Sequence, residues 1–241
     1  MDKINFISLL HEAFKENNLS NLLTDETAEN LYKFADLLVE TNKITNLTAI
    51  TDDNGIILKH FIDCASISEH VDSGAGLIDV GCGAGFPSIP LAIIRPDLTI
   101  TALDSTGKKI DFVKSVASKL NLRNLTAICA RAEDFAAENR ETFDISTSRA
   151  VARLNVLAEI SLPLVRVGGK FIAMKSNKGS EEYTEASSGI KKLGATLEAF
   201  TEKSFSFKEE VINREFYIFS KTRLTPKEFP RKYAQILKKP L

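Results

Sequence analysis

Asp79, Gly81, Gly83 and Gly85 follow one another at two-residue spacing between two apolar runs, in the stretch LIDVGCGAGFPSIPLAII from Leu77 to Ile94. Glycines in such a turn allow positive φ and let a ligand approach bare backbone. A helix starting behind it offers unpaired N–H groups and partial positive charge to an anionic ligand group. Asp104 closes the next apolar run, nineteen residues after Gly85, the spacing at which a carboxylate accepts hydrogen bonds from a ribose diol. A dinucleotide fingerprint would carry its third glycine where Phe86 stands. G-x-G-x-G with Asp79 two residues ahead is instead the pattern of S-adenosylmethionine (SAM) sites, whose ligand has no pyrophosphate. Glu133 and Asp134, after a third apolar run, can accept from an adenine amino group. Arg149 ends a fourth run, where a donor could reach a cofactor, a base or a phosphate. His60 and Asp63, three apart, share a helix face, and His60 could position a substrate or act as acid or base.

These groups need elements to hold them. Phe6, Leu9, Leu10, Ala13 and Phe14 fall at helical spacing within Asn5–Glu16, and a second helix capped by Thr24 or Asp25 carries Leu31, Phe34, Ala35, Leu38 and Val39 inward. A loop rich in Asn and Thr, from Asn42 to Thr48, interrupts the pattern, and a third helix runs from about Asp53 to His70. After Gly74 the period changes. Strands at 77–80, 98–103, 125–129, 143–147 and 170–175 alternate with helices at 88–94, 108–120, 154–167 and 180–193, the third of these interrupted by Pro163. The stretch 130–134 reads as the end of the third strand. Segments 199–207 and 214–220 form a closing antiparallel pair. The fold class expected is α/β, a mostly parallel sheet with an antiparallel closure and helices on both faces. Three units follow: an N-terminal helical extension (1–73), a cofactor-binding domain (74–220) and a basic tail (221–241). Ligands of such sheets lie at the carboxyl ends of the strands, which selects Asp79 to Gly85, Asp104, Ser105, Ala132 to Asp134, and Ser148 to Arg149.

With 241 residues, 44% of them hydrophobic, the chain can bury a full core. It carries no transmembrane candidate, and with Asp2, Lys3, His11, Glu12, Lys15 and Glu16 its start lacks the uninterrupted apolar segment of a signal peptide, so a cytoplasmic protein is expected. Cys64, Cys82 and Cys129 form no C-x-x-C pair, which argues against a disulfide framework or a metal site; they are expected to be reduced and mostly buried. The formal net charge of −1 conceals an asymmetry: residues 1–73 carry 5 Lys/Arg against 13 Asp/Glu, whereas residues 221–241 carry 7 against the single Glu228. A basic tail with Phe229 and Tyr233 interleaved has the character of an RNA-contacting edge; the bland alternative is a solvated terminus.

The runs NLTAI, HFIDCASI, IDVGCGAGFPSIPLAI, LDSTGKKIDFV, RAEDFA, FDISTSRAVARLNVLAEISLPLVRVGGKFIAMKS, FPRK and the terminal KKPL resemble the bacterial 16S rRNA guanine-N7 methyltransferases, the RsmG or glucose-inhibited division protein B family. The resemblance spans nearly the whole chain. The chain departs from the family pattern at Cys82, usually Ser, at Ser88, usually Gly, and in Tyr-Ala-Gln-Ile-Leu before Lys238, usually richer in Gly and Pro. The resemblance implies a class I SAM-methyltransferase fold and a SAM site lined by Gly81, Phe86, Asp104, Ser105, Thr106, Ala132, Glu133 and Arg149. It also implies 16S rRNA or the small ribosomal subunit as partner.

Guanine N7 carries an in-plane lone pair and needs no deprotonation before attacking a sulfonium methyl, so catalysis can rest on alignment. The fourth strand lacks the Asn-Pro-Pro-Tyr of exocyclic amino methylation and the Pro-Cys of attack on pyrimidine carbon. The base is expected between the cofactor mouth and the loop around Asn46, positioned by His60, Asp63, Arg149 and Arg153. Phosphate contacts are expected from Arg131, Arg153, Lys175, Lys178, Arg231 and Lys232. A SAM methyltransferase acting on a small molecule, a nicotinamide-dependent oxidoreductase and a non-catalytic RNA-binding factor are the competing readings. A monomer is expected.

Overall fold

The computed structural model describes residues 2–149, 152–176 and 179–241. Helix α1 (Lys3–Glu16) starts where Asp2 accepts from the N–H groups of Ile4 and Asn5. Helix α2 (Asp25–Asn42) starts at a capping box in which Thr24 and Thr27 each accept from the other's backbone N–H. Phe6, Leu10, Ala13 and Phe14 on α1 and Ala28, Leu31, Phe34, Ala35 and Leu38 on α2 are buried. The third helical run, α3, is not the uniform helix expected over 53–70. It opens as an α-turn over Asp53–Ile56, widens to π geometry over Ile57–Ile62, resumes over Asp63–Ala65 and ends as a 3-10 turn over Ser66–His70. Inserted π turns recur at functional sites, and this one carries Lys59 and His60.

Among the described residues seven strands form one sheet: β1 (Gly76–Val80), β2 (Thr99–Asp104), β3 (Leu125–Cys129), β4 (Phe143–Arg149), β5 (Val165–Lys175), β6 (Ala195–Phe207) and β7 (Glu210–Lys221). Their order is β3-β2-β1-β4-β5-β7-β6, parallel from β3 to β5 and antiparallel for β7 and β6. This is the expected mostly parallel sheet with an antiparallel closure. Helices α4 (Ser88–Ile94), α5 (Gly107–Lys119), α6 (Ala132–Glu138), α7 (Leu154–Ser161), α8 (Gly179–Lys192) and α9 (Tyr233–Lys238) complete the fold.

Period-2 alternation sends Leu77, Ile100, Ile145 and Ile172 to one face, where they share a core with α1 to α5. Ile78, Val80, Leu103, Phe171 and Phe219 face the other way, into a core with α6 to α9. The acidic N-terminal helices thus close one face of the sheet, and Phe34 packs against Phe86 and Phe112. Among the described residues no helix is long and apolar enough to cross a membrane.

Boundaries shifted where turn chemistry outweighed apolar content. The helix expected to reach residue 167 stops at Ser161, because Pro163 supplies no N–H to continue it; a 3-10 turn over Leu162–Leu164 follows and β5 begins at Val165. Gly168 and Gly169 do not start that strand. They lie in an irregularity where the β4–β5 register slips between Phe143 and Ile145, and a Cβ on Gly169 would lie 2.4 Å from the Asp144 carbonyl oxygen. Of the residues expected as the end of the third strand, Arg131 caps α6 and Ala132, Glu133 and Asp134 form its first turn, and part of the tail is helical, as α9. Cys64 and Cys82 are buried, whereas Cys129 is exposed.

Candidate active site

The strand order reverses between β1 and β4, and the carboxyl ends of β1, β2 and β4 open onto three adjoining cavities. The first, about 120 Å³, is bounded by Gly81, Asp104, Ser105, Arg131, Ala132, Glu133 and Tyr233. The second, about 370 Å³, shares Gly81 and Asp104 with the first and adds Thr48, His60, Gly83, Phe86, Lys109 and Arg149. The third, about 710 Å³, shares His60 and Arg149 with the second and is ringed by Lys59, Asp63, Arg153, Lys175, Glu182 and Arg214. Arg149 and His60 therefore stand as a partition between a crevice along the strand ends and a wider cationic cavity.

The glycine turn is held from both sides. A Cβ on Gly85 would meet the Ile89 side chain at 2.3 Å, with φ at +91°, so α4 can approach only glycine there. A Cβ on Gly83 would meet nothing within 4 Å, leaving its backbone open to the crevice. Asp104 takes the Gly83 N–H on Oδ2 at 3.0 Å and the Thr106 N–H on Oδ1 at 2.8 Å, each oxygen keeping capacity for a further donor. Thr106 itself is exposed and caps α5 rather than lining a cavity.

Beneath the turn Asp79 is fully buried. Its Oδ2 accepts from the Ser88 backbone and hydroxyl, while Oδ1 has no partner among the described residues. Burial pushes its carboxyl up to about 7, against the opposing hydrogen bonds from Ser88. An acid whose folded pKa is raised stabilises the fold most below its unfolded value near 4, and that contribution is lost as pH rises through 7. Asp79→Asn is accordingly expected to flatten the fall in denaturant midpoint between pH 4 and 7 and to exceed the parent at pH 8. The gain is on the order of a few kcal/mol; an unchanged pH slope would show that Asp79 is not the group responsible.

The partition is a connected set of hydrogen bonds. Asp63, with no exposure, accepts from Arg149 Nη1 on Oδ2 at 2.8 Å and from Arg214 Nε on Oδ1 at 2.7 Å, with Arg214 Nη2 a further 3.2 Å from Oδ2. Arg149 Nη1 also donates to the Lys59 carbonyl at 3.0 Å, and its Nη2 lies 3.2 Å from His60 Nδ1. Arginine can only donate, so Nδ1 accepts and the neutral ring carries its proton on Nε2, which donates to Thr48 Oγ1 at 3.0 Å. Burial first, and then the Arg149 charge, push the His60 imidazole down to about 3. The Phe86 ring stacks on His60 with centroids 4.1 Å apart and lies under the Arg149 guanidinium at 5.1 Å. Asn42 fixes the preceding loop by accepting from Leu47 and Thr48 N–H and donating to the Thr48 carbonyl.

Most residues expected at the site surround the crevice: Gly81, Gly83, Phe86, Asp104, Ser105, Ala132, Glu133 and Arg149 on its walls, with Asp79 under its floor. His60 and Asp63 meet at the partition. Arg153 and Lys175 ring the cationic cavity, paired with Glu185 at 2.6 Å and Glu182 at 2.7 Å. Asn46 is exposed and bounds none of the three cavities; its neighbours Leu47 and Thr48 do. Arg131 lies over the Tyr233 ring, Arg231 is bound to buried Glu159, and Lys232 pairs with Asp134 at 2.8 Å. Lys178 lies outside the described residues. Thr48, Lys59, Lys109, Arg214 and Tyr233 were not assigned from the sequence. Thr48 sits in a run already singled out, but Arg214 is an alternating polar residue on a closing strand with no local mark of a site.

Such a strand order with a G-x-G-x-G turn, an acid ending β2 and carboxylates rather than an anion cradle along the crevice defines a class I SAM-dependent methyltransferase. The Asp104 and Glu133 carboxylates suit a ligand bearing a diol and an amine, and would repel a pyrophosphate. The crystal structure of M. jannaschii TYW2 in complex with AdoMet has the same fold, with a TM-score of 0.54 at 14% identity over 72% of this chain and 79% of that one. The chain belongs to the rRNA small subunit methyltransferase G (GidB) family, whose sequence model matches residues 27–212. It is 43% identical over 240 residues to ribosomal RNA small subunit methyltransferase G of Staphylococcus carnosus, covering 98% of both chains. It is 44% identical over 239 residues to the protein of that name from Staphylococcus aureus strain Newman, again covering 98% of each.

Proposed function

We propose that this chain methylates N7 of a guanine in 16S rRNA with SAM as donor, acting as a cytoplasmic monomer on the RNA of the small ribosomal subunit. The observation that carries this reading is the partition: one wall of Arg149 and His60 separates a crevice suited to SAM from a cavity ringed by Lys59, Arg149, Arg153, Lys175 and Arg214. These cations, held by Asp63, Glu182, Glu185 and Glu210 in the structure, are placed to exchange those partners for the phosphates of a nucleotide, and about 710 Å³ is within the range of small-molecule sites. SAM, when bound, supplies a methyl group on a cationic sulfur.

The chain's own residues bind and orient. Gly81, Gly83, Asp104 and Glu133 hold the cofactor, with Ala132 as apolar wall. Arg149, fixed by Asp63 and stacked on Phe86, presents its remaining N–H groups to the base, where a guanine carbonyl can accept while N7 stays free for attack. His60 has no lone pair to spare, since Nδ1 accepts from Arg149 and Nε2 carries hydrogen toward Thr48, so it positions rather than abstracts a proton. With no proton to remove from N7, alignment supplies the rate. Unstacking the guanine costs a few kcal/mol, which phosphate contacts offset.

The test is transfer of labelled methyl from SAM to small-subunit rRNA from cells lacking this enzyme, followed by nucleoside analysis; 7-methylguanosine is the expected product, and any other methylated nucleoside overturns the assignment. At saturating SAM, His60 is expected to add no pH dependence to the single-turnover rate from pH 6 to 8.5, because an imidazole titrating near 3 remains neutral throughout. A rise with a midpoint near 6.5 that vanishes in His60→Gln would make His60 a general base instead.

A further inference from the structure

Residues 222–241 leave β7, cross the face covered by α7 to bring Tyr233 to the cavity at the carboxyl end of β2, and return through α9 to α8, where Leu241 packs against Gly189. Specific side chains hold them on that course. Arg140 donates to the carbonyls of Phe229 at 2.6 Å and Pro226 at 2.9 Å, and to that of Thr225. Phe229 and Ile236 are buried in the second core. Arg231 donates its backbone N–H at 3.0 Å and its Nε at 2.7 Å to Glu159 Oε1, and its Nη2 to Oε2. Glu159 has no exposure, so this is a pin driven into α7 and not a solvated contact. Lys232 then reaches Asp134, and the Tyr233 N–H lies 3.3 Å from Glu133 Oε1. What the pin delivers is Tyr233, which bounds the cavity of about 120 Å³ shared with Asp104, Ser105, Ala132 and Glu133.

We propose that the C-terminal segment is a clasp on the nucleoside end of the cofactor crevice, in which Tyr233 binds the adenosine moiety and the Arg231–Glu159 pair holds it in place. This rests on the reading of that crevice as the SAM site. An aromatic ring adds to a nucleoside pocket what the carboxylates cannot, a flat apolar face for a purine. Glu133 links the two halves, because the acid placed to meet the adenine also meets the Tyr233 backbone. In this reading the part of the basic tail from Arg231 to Tyr233 belongs to the cofactor pocket, with Arg231 directed to Glu159 and Lys232 to Asp134.

Calorimetric titration of the full chain with S-adenosylhomocysteine and with adenosine tests the clasp. Tyr233→Ala is expected to weaken both about tenfold or more, Tyr233→Phe to restore them, and circular dichroism to stay unchanged. In the parent protein, S-adenosylhomocysteine is expected to slow tryptic cleavage after Lys232, a readout that needs no variant to fold. Parent-like affinity in Tyr233→Ala, or cleavage at the same rate with and without ligand, overturns the clasp and leaves the crevice assignment standing. A parent protein that binds neither ligand overturns the crevice assignment itself. A changed salt dependence of rRNA binding in Tyr233→Ala with unchanged S-adenosylhomocysteine affinity would return the tail to the RNA interface and overturn the clasp.

Discussion

Arg149→Ala is expected to lower single-turnover methyl transfer to 16S rRNA by about 100-fold or more while S-adenosylhomocysteine still binds. The residue bounds both the crevice and the cationic cavity, and three of its hydrogen bonds set the geometry between them: to Asp63, to the Lys59 carbonyl and to His60 Nδ1. Removing it leaves His60 with an unpaired acceptor and an undetermined tautomer, and takes away the plane that lies on Phe86. Arg149→Lys should recover little, since a single ammonium cannot satisfy the carboxylate, carbonyl and imidazole in one fork. The fold should persist, because Asp63 keeps Arg214 as a partner. Parent-like turnover in Arg149→Ala would remove it from the reaction, and loss of S-adenosylhomocysteine binding in parallel would place its effect on the cofactor instead.

The crevice side of this site was legible because its parts are local. A glycine turn, an acid nineteen residues on and a carboxylate after the third strand each follow an apolar run, and parallel βαβ connections bring successive strand ends to one edge. The substrate side was legible only in pieces. His60 and Asp63 are neighbours in sequence, but their partners Arg149 and Arg214 come from β4 and β7, and the π turn that aims them has no mark in residue type. Arg214 opens one of the two closing segments, where its residue type carries no mark of a site. The tail shows a related limit: charge composition counts Arg231 as free, whereas Glu159, far away in sequence, is the buried acid that pairs with it. Long-range pairing of charges is invisible to composition, and it decides which basic residues remain for RNA.

Asp63→Ala should be the most destabilising single change at the site. The carboxylate is fully buried and answers two guanidinium groups whose side chains are only 16% and 22% exposed. Stripping one partner from a buried ion pair costs about 3–5 kcal/mol, because the remaining charge stays desolvated. Here two like charges would be left facing each other. Denaturant unfolding should register that loss, and thermal unfolding a fall on the order of 10 °C for a chain of this size. The disturbance should also travel, since Asp63 fixes Arg149, Arg149 fixes the His60 ring, and His60 donates to the Thr48 hydroxyl in the loop over the crevice. Asp63→Ala combined with Arg149→Ala should cost less than the sum of the two, because the double change removes one of the orphaned cations together with its acceptor. Additive losses in that cycle would mean that the two residues stabilise the fold independently, and that Asp63 does not hold the partition through Arg149.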